Sequence, residues 1–296
     1  MAMDSLQSQI KSLSPRAALS RRGFVAGGVS AGFALAVQPV QAQSVITTDT
    51  NGLEAGDVTI PTTSGDIPGY RAMPASGKAP FPTLLVIHEA FGVHEHIKDV
   101  CRRLAKLGYF AVAPELFTRR GDVAKMKDIQ EIMQKVISKT PDAEVAADLD
   151  AAAAWARASK KANTAHMAVT GFCWGGRQTW LYAAHNRHLR AAVAWYGPLG
   201  HANSPLTPKG PLDIVSELKV PVLGLYGGAD AGIPVAQIEE MKAKLKAAHK
   251  PAEIVIYPDT PHGFNADYRP SYRPEAAKDG WRRMLAWFKR HGVAPA

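Results

Sequence analysis

From about residue 80 the chain alternates short apolar runs with longer stretches in which apolar residues return every three or four positions. The runs "FPTLLVIHEAFG" (81–92), "YFAVAPELF" (109–117), "HMAVTGFC" (166–173), "LRAAVAWYGP" (189–198), "PVLGLYGGAD" (221–230) and "AEIVIYPD" (252–259) are rich in apolar and β-branched residues. That is the pattern of strands covered on both faces. Between them, "HIKDVCRRLAKLG" (96–108), "DVAKMKDIQEIMQKVI" (122–137), "DAEVAADLDAAAAWARAS" (142–159), "RQTWLYAAH" (177–185), "PVAQIEEMKAKLKAA" (234–248) and "PEAAKDGWRRMLAWFKRH" (274–291) predict helices. Gly108 stops the first of these. Strands alternating with helices predict an α/β fold, a mostly parallel central sheet with helices on both faces. Upstream, "DVTIPTTSGDIPGYRAMPA" (57–75) predicts a hairpin that starts the sheet antiparallel. "GPLGHANSPLTPKGPLD" (197–213) is rich in Gly and Pro and reads as a loop within one domain. No internal repeat is visible.

Composition changes this picture little: 46% hydrophobic and 21% charged residues are ordinary for a globular chain. The net charge is +9. Part of it is local, since the first 42 residues hold Lys11, Arg16, Arg21 and Arg22 against Asp4 alone. No basic block with interleaved aromatics appears, which argues against a nucleic-acid partner. The N-terminus is more specific. "SRRGFVAGGVSAGFALAVQPVQAQ" runs from paired arginines through a small, apolar stretch to Val40 and Ala42. This is the order of an export signal, and its "SRRGF" core is that of a twin-arginine signal. The expected layout is a signal over residues 1–42, cleaved after Ala42 by the export machinery, then one domain over 43–296 in the periplasm or outside the cell. The apolar stretch is short for a membrane span, and no membrane association is expected of the mature chain. Of the two cysteines, Cys101 lies in a helical pattern and reads as a buried thiol, so no disulfide with Cys173 is expected.

Cys173 has the more telling setting. "GFCWG" (171–175) ends a strand, opens a helix and places a nucleophile between two glycines. That is the strand–turn–helix elbow of α/β-hydrolases, with cysteine in the nucleophile's place. The glycines serve sterics, and the helix N-terminus favours a thiolate. Such a nucleophile needs a base, and the base needs an orienting carboxylate, in chain order nucleophile, acid, histidine. Asp230 closes "LGLYGGAD" and His262 lies in "YPDTPHGF", each just after an apolar strand. An open α/β sheet gathers its site at those strand ends.

In "HEAFGV", "APELFTR", "GFCWGG", "GGADAGIP" and "PHGF", in that order, the chain resembles the dienelactone hydrolase family, whose type activity is carboxymethylenebutenolidase. The resemblance spans roughly residues 55–290. It implies an α/β-hydrolase that opens a lactone or small activated ester through an acyl-thioester, without cofactor or metal. It implies that Glu89 takes the thiol proton when substrate arrives, so that the resting thiol stays largely neutral. The N–H groups of Ala90 and Trp174 would form the oxyanion hole. Arg119 would bind a substrate carboxylate, with Arg120 beside it as a substitute. Phe91, Trp174, Trp195 and Tyr196 would line the pocket. One departure stands out: type members carry a second carboxylate-binding arginine four residues after the histidine, where this chain has Ala266. Arg269 or Arg273 could fill the gap from the same loop.

The cluster "HEAFGVHEH" holds His88, Glu89, His94, Glu95 and His96. The helical zinc signature H-E-x-x-H fails because Gly92 sits where its second histidine belongs. His94 and His96 are therefore expected to be loop or helix-start residues near the pocket. Two other functions remain open: a general carboxylesterase on the same site, or a non-catalytic binding or redox-sensing protein on a hydrolase fold.

Overall fold

The computed structural model describes residues 46–126, 129–200 and 204–295. The export-signal expectation, with its cleavage point at Ala42, lies outside the described residues. One eight-stranded sheet organises the rest, in the order β1-β2-β4-β3-β5-β6-β7-β8. The strands are β1 (Leu53–Ile60), β2 (Ile67–Pro74), β3 (Phe81–Ile87), β4 (Phe110–Pro114), β5 (Ala162–Phe172), β6 (Ala191–Trp195), β7 (Val222–Gly227) and β8 (Ala252–Tyr257). β1 and β2 form the antiparallel hairpin and β2 pairs antiparallel with β4. From β4 to β8 every pairing is parallel.

The helices are α1 (Glu95–Lys106), α2 (Ile129–Lys135), α3 (Asp142–Ala158), α4 (Trp174–His185), α5 (Val235–Ala247) and α6 (Pro274–Arg290). The stretch 122–137, expected as one helix, begins instead with a short 3-10 turn, Val123–Lys125. There the Asp122 carboxylate caps the Ala124 N–H at 3.0 Å. Such a side-chain bond competes with the continuing helix.

The central strands are buried because both faces are covered. Every residue of β4, β6 and β7 is buried. Cys101 is a free, fully buried thiol on α1, and Cys173 is free as well. The strand order also fixes where ligands meet the sheet. After β3 the chain crosses to β4 on one side, and β5 then lies on the other. The crevice beyond the carboxyl ends of β3 and β5 is such a switch point, where open α/β sheets bind ligands.

Candidate active site

Strand register brings the first pair together. β3 and β5 run parallel with Ile87 opposite Gly171. Two residues further on, Glu89 and Cys173 leave the sheet side by side. β5 and β6 pair Phe172 with Trp195, and the Cys173 N–H donates to the Trp195 carbonyl at 3.0 Å. Tyr196 follows directly, fully buried, with a φ of 38°.

Cys173 itself has φ 56° and ψ −119°, between β5 and α4. A side chain in such a conformation stores on the order of 1–3 kcal/mol, so packing must hold it there. The flanking glycines show how. A Cβ at Gly171 would lie 2.3 Å from the Gly175 carbonyl oxygen, and one at Gly175 would lie 2.5 Å from the carbonyl oxygens of Ile87 and His88. The start of α4 is thereby seated directly on the end of β3.

This seating also places the backbone donors. Gly176 and Arg177 N–H groups donate to the Cys173 carbonyl at 2.9 and 3.2 Å, which starts α4. Trp174 is its first residue, so no carbonyl within the helix can accept its N–H. Ala90 lies in a buried turn closed by a bridge between Glu89 and Gly92. His88 anchors that turn: its Nε2 accepts from Leu116 N–H at 3.1 Å, so the proton sits on Nδ1 and is donated to the Glu89 carbonyl at 2.7 Å. Glu115 ties the turn down further, accepting from Val93 N–H at 2.6 Å. The Trp174 ring packs on Phe117 and His88, with centroids 4.5 and 5.4 Å apart.

His262 and Asp230 meet from the loops after β8 and β7. His262 Nδ1 donates to Asp230 Oδ2 at 2.6 Å, while Asp230 Oδ1 accepts from Gly232 and Ile233 N–H groups at 2.8 and 3.2 Å. These bonds fix the imidazole tautomer and leave Nε2 without a partner among the described residues. Burial pulls His262 down, but the Asp230 and Cys173 charges outweigh it and push it up to about 10.

Glu89 is fully buried. Its Oε2 accepts the Tyr268 hydroxyl at 2.6 Å and lies 3.4 Å from His94 Nε2; Oε1 has no partner among the described residues. Burial alone would raise its pKa. The His94 contact and the Arg269 charge outweigh burial and hold Glu89 well below the usual carboxylate range. Arg269 is buried between aromatic faces, its guanidinium 5.0 Å from the Phe91 ring and 5.7 Å from the Tyr268 ring. The charges it feels include those of Glu89 and Cys173. Cys173, His262, Asp230 and Glu89 thus form one buried cluster with Tyr196, Tyr268 and Arg269 at its wall.

Other expected residues lie elsewhere. Arg119 is committed to Asp148 through two bonds of 2.7 and 3.1 Å and to Thr62 at 2.8 Å. Arg120 binds Glu144 at 2.9 Å. Arg273 donates to the Pro270 and Tyr272 carbonyls at 3.1 and 3.0 Å. Of these arginines and Arg269, it is Arg269 whose charge acts on Glu89. Trp195 is not at the cluster either: its ring fills the space over Gly280 of α6, where a Cβ would come within 2.5 Å of it. Alternation along β6 turns Trp195 to one face and leaves the next residue, Tyr196, to reach the site. There Tyr196 meets the His262 ring with centroids 5.1 Å apart. Tyr268 was missed in the sequence. Its signal is its place beside Arg269, six residues after His262.

Among known proteins, the model of the "Dienelactone hydrolase family" matches residues 67–292. The chain belongs to this family. A relative from Methylorubrum extorquens named "Putative carboxymethylenebutenolidase" is 59% identical over 99% of this chain and all of its own. One of the same name from Escherichia coli K12 is 50% identical over 88% of this chain and 96% of its own. The crystal structure of a "Putative Dienelactone Hydrolase" from Klebsiella pneumoniae superimposes with a TM-score of 0.79, at 53% identity over 80% of this chain and 99% of that one. The α/β-hydrolase architecture and a dienelactone hydrolase-like hydrolase are the shared properties of this family. Arg269 stands on the loop after His262, three residues beyond Ala266.

Proposed function

We propose that the protein opens a carboxylate-bearing lactone or small activated ester, with Cys173 as nucleophile and an acyl-thioester as intermediate. One observation carries the reading. A buried thiol held at a left-handed turn stands in one buried cluster with two atoms that have no other partner among the described residues, Glu89 Oε1 and His262 Nε2. The substrate carboxylate would lie against Arg269. Its negative charge would offset the guanidinium, which after the His94 contact is the next cause that holds Glu89 down, so Glu89 becomes more basic when substrate is present.

The thiol proton then passes to Glu89, and sulfur bonds to the acyl carbon. The carbonyl electron pair moves to an oxygen held by the Ala90 and Trp174 N–H groups. Collapse breaks the acyl C–O bond, and the leaving oxygen takes a proton from the His262 imidazolium. Neutral His262, oriented by Asp230, removes a proton from water as the water oxygen attacks the thioester. The second collapse expels the thiolate. It is reprotonated by the product acid, which leaves as carboxylate.

A general carboxylesterase is the second reading. The Arg269 charge already acting on buried Glu89 favours it, since a neutral ester would leave that balance undisturbed. A panel of lactones and aryl esters with and without a free carboxylate separates the two. Cys173→Ala should be inactive and Cys173→Ser severely impaired, because a hydroxyl is harder to deprotonate than a thiol. Near-wild-type turnover by Cys173→Ser would sink the thiolate mechanism, and no turnover by the wild type would favour a binding role. We also propose that residues 1–42 direct export by the twin-arginine route. Mass spectrometry of the secreted chain tests this: a start at Gln43 supports it, and retention of the leader in the cytoplasm contradicts it.

A further inference from the structure

His94 and His96 belong to the "HEAFGVHEH" cluster, but the reaction above uses neither. That reaction has an unassigned product. At neutral pH an ester and water give an alcohol, a carboxylate and one proton. In the scheme above, the product acid reprotonates the thiolate, so the surplus proton remains on Glu89. The Glu89 side chain is only 1% exposed, and it cannot hand a proton to water directly.

The groups around Glu89 differ in what they can do. The Tyr268 hydroxyl bonds Oε2, but burial and the Glu89 charge push it well above its ordinary value, so it stays a donor. Arg269 has no acceptor site. His94 Nε2 lies 3.4 Å from Oε2, and the His94 side chain is 23% exposed. One ring therefore touches both the buried carboxylate and solvent. The groups facing it are His96 on α1, at 6.0 Å between ring centroids, Glu89 and Phe91 on the β3 turn, and Tyr268 and Arg269 on the loop after His262. Burial comes first among the causes that lower His94 from its ordinary value, so it is neutral at pH 7 and gives up readily a proton that it accepts. His96 lacks this access. Its Nδ1 is committed to Asp267 at 3.1 Å and its side chain is 2% exposed.

The geometry points to His94 as the residue that carries the proton of each turnover from Glu89 to solvent. This rests on Glu89 acting as the base for Cys173. In the step, the Glu89 carboxyl O–H bond breaks and an N–H bond forms at His94 Nε2. The resulting imidazolium loses its Nδ1 proton to water, and exchange of the remaining proton between the ring nitrogens through solvent restores carboxylate and an imidazole that accepts at Nε2. At rest the two groups lie 3.4 Å apart, and the neutral ring accepts at Nε2 only in the tautomer that carries its proton on Nδ1. A protonated Glu89 gains a donor aimed at the same nitrogen.

The test compares wild type with His94→Gln and His94→Ala, each checked by thermal unfolding, on the best ester of the panel. Turnover is measured in a dilute, bulky buffer and again with added imidazole. Both variants should lose about 100-fold or more in kcat in the dilute buffer, the lower end of the scale of one positioned proton transfer. KM should stay within about twofold. Imidazole should restore kcat in a saturable way, while the wild type is insensitive to it. Unchanged kcat in the variants, or a loss that imidazole does not restore, would overturn the assignment. Cys173→Ala and Glu89→Gln run alongside. If either keeps wild-type turnover, the underlying mechanism fails. If both are inactive while the His94 variants are unaffected, only the proton route fails.

Discussion

Gly175→Ala tests whether the elbow works through its packing. The new Cβ would sit 2.5 Å from the carbonyl oxygens of Ile87 and His88 and 2.9 Å from the Ile87 carbonyl carbon. Contacts under 3.0 Å essentially never occur, so something must move by at least about 0.5 Å. No side chain can rotate away, because all three neighbours are backbone. Either the start of α4 or the end of β3 must shift. The first carries the Trp174 N–H and the second leads into Ala90. Overpacking of this kind costs about 1–3 kcal/mol. For a chain of this size that is a fall of roughly 2–12 °C in unfolding midpoint. In the proposed mechanism the Trp174 and Ala90 N–H groups hold the oxyanion, and displacing such a donor approaches the effect of deleting one, about 100–1000-fold in kcat. The assay is steady-state hydrolysis of an activated ester beside calorimetry. Gly56→Ala is the control, since its Cβ would meet nothing within 4 Å. An unchanged midpoint with kcat within about threefold of wild type would refute the packing argument.

Three further outcomes follow from the same geometry. Arg269→Met should raise KM for carboxylate-bearing substrates about tenfold or more while neutral esters change little; Arg119→Ala should leave that preference intact and cost about 1–3 kcal/mol in urea unfolding, because Arg119 serves Asp148. Asp230→Asn should flatten the alkaline loss of stability. His262 is raised to about 10 from about 6.5, so its contribution is fully present below pH 6.5 and is lost as pH rises through 10. In wild type this is on the order of a few kcal/mol, and equal slopes for both proteins between pH 6.5 and 10 would contradict the Asp230–His262 coupling. Tyr268→Phe removes the 2.6 Å bond to ionised Glu89. It should cost about 1.5–3 kcal/mol at pH 7; a variant as stable as wild type would count against that bond.

How much of this was legible in the chain itself depends on how local each feature is. Apolar runs and helical spacings are local, and they foretold the α/β alternation and the antiparallel start. The elbow is also local: Gly171 and Gly175 flank Cys173 because no other residue fits within 2.5 Å of those carbonyls. Asp230 and His262 were legible because strand ends are where an open sheet collects its loops, and the structure joins them at 2.6 Å. The neighbourhood of Glu89 was not. Its place beside Cys173 depends on β3 pairing with β5 across more than 80 residues, a matter of register. Arg119 and Arg269 are both arginines at plausible spacing. Only the packed loops decide that one guanidinium is taken by Asp148 while the other is wedged between Phe91 and Tyr268. Trp195 and Tyr196 are adjacent aromatics, and sheet alternation sends one under α6 and the other to His262. The sequence by itself determined which backbone turn could present a thiol, because sterics act between near neighbours. Only the tertiary structure decided which charges and hydroxyls meet that thiol, because side-chain direction on a long loop is set by what the loop packs against.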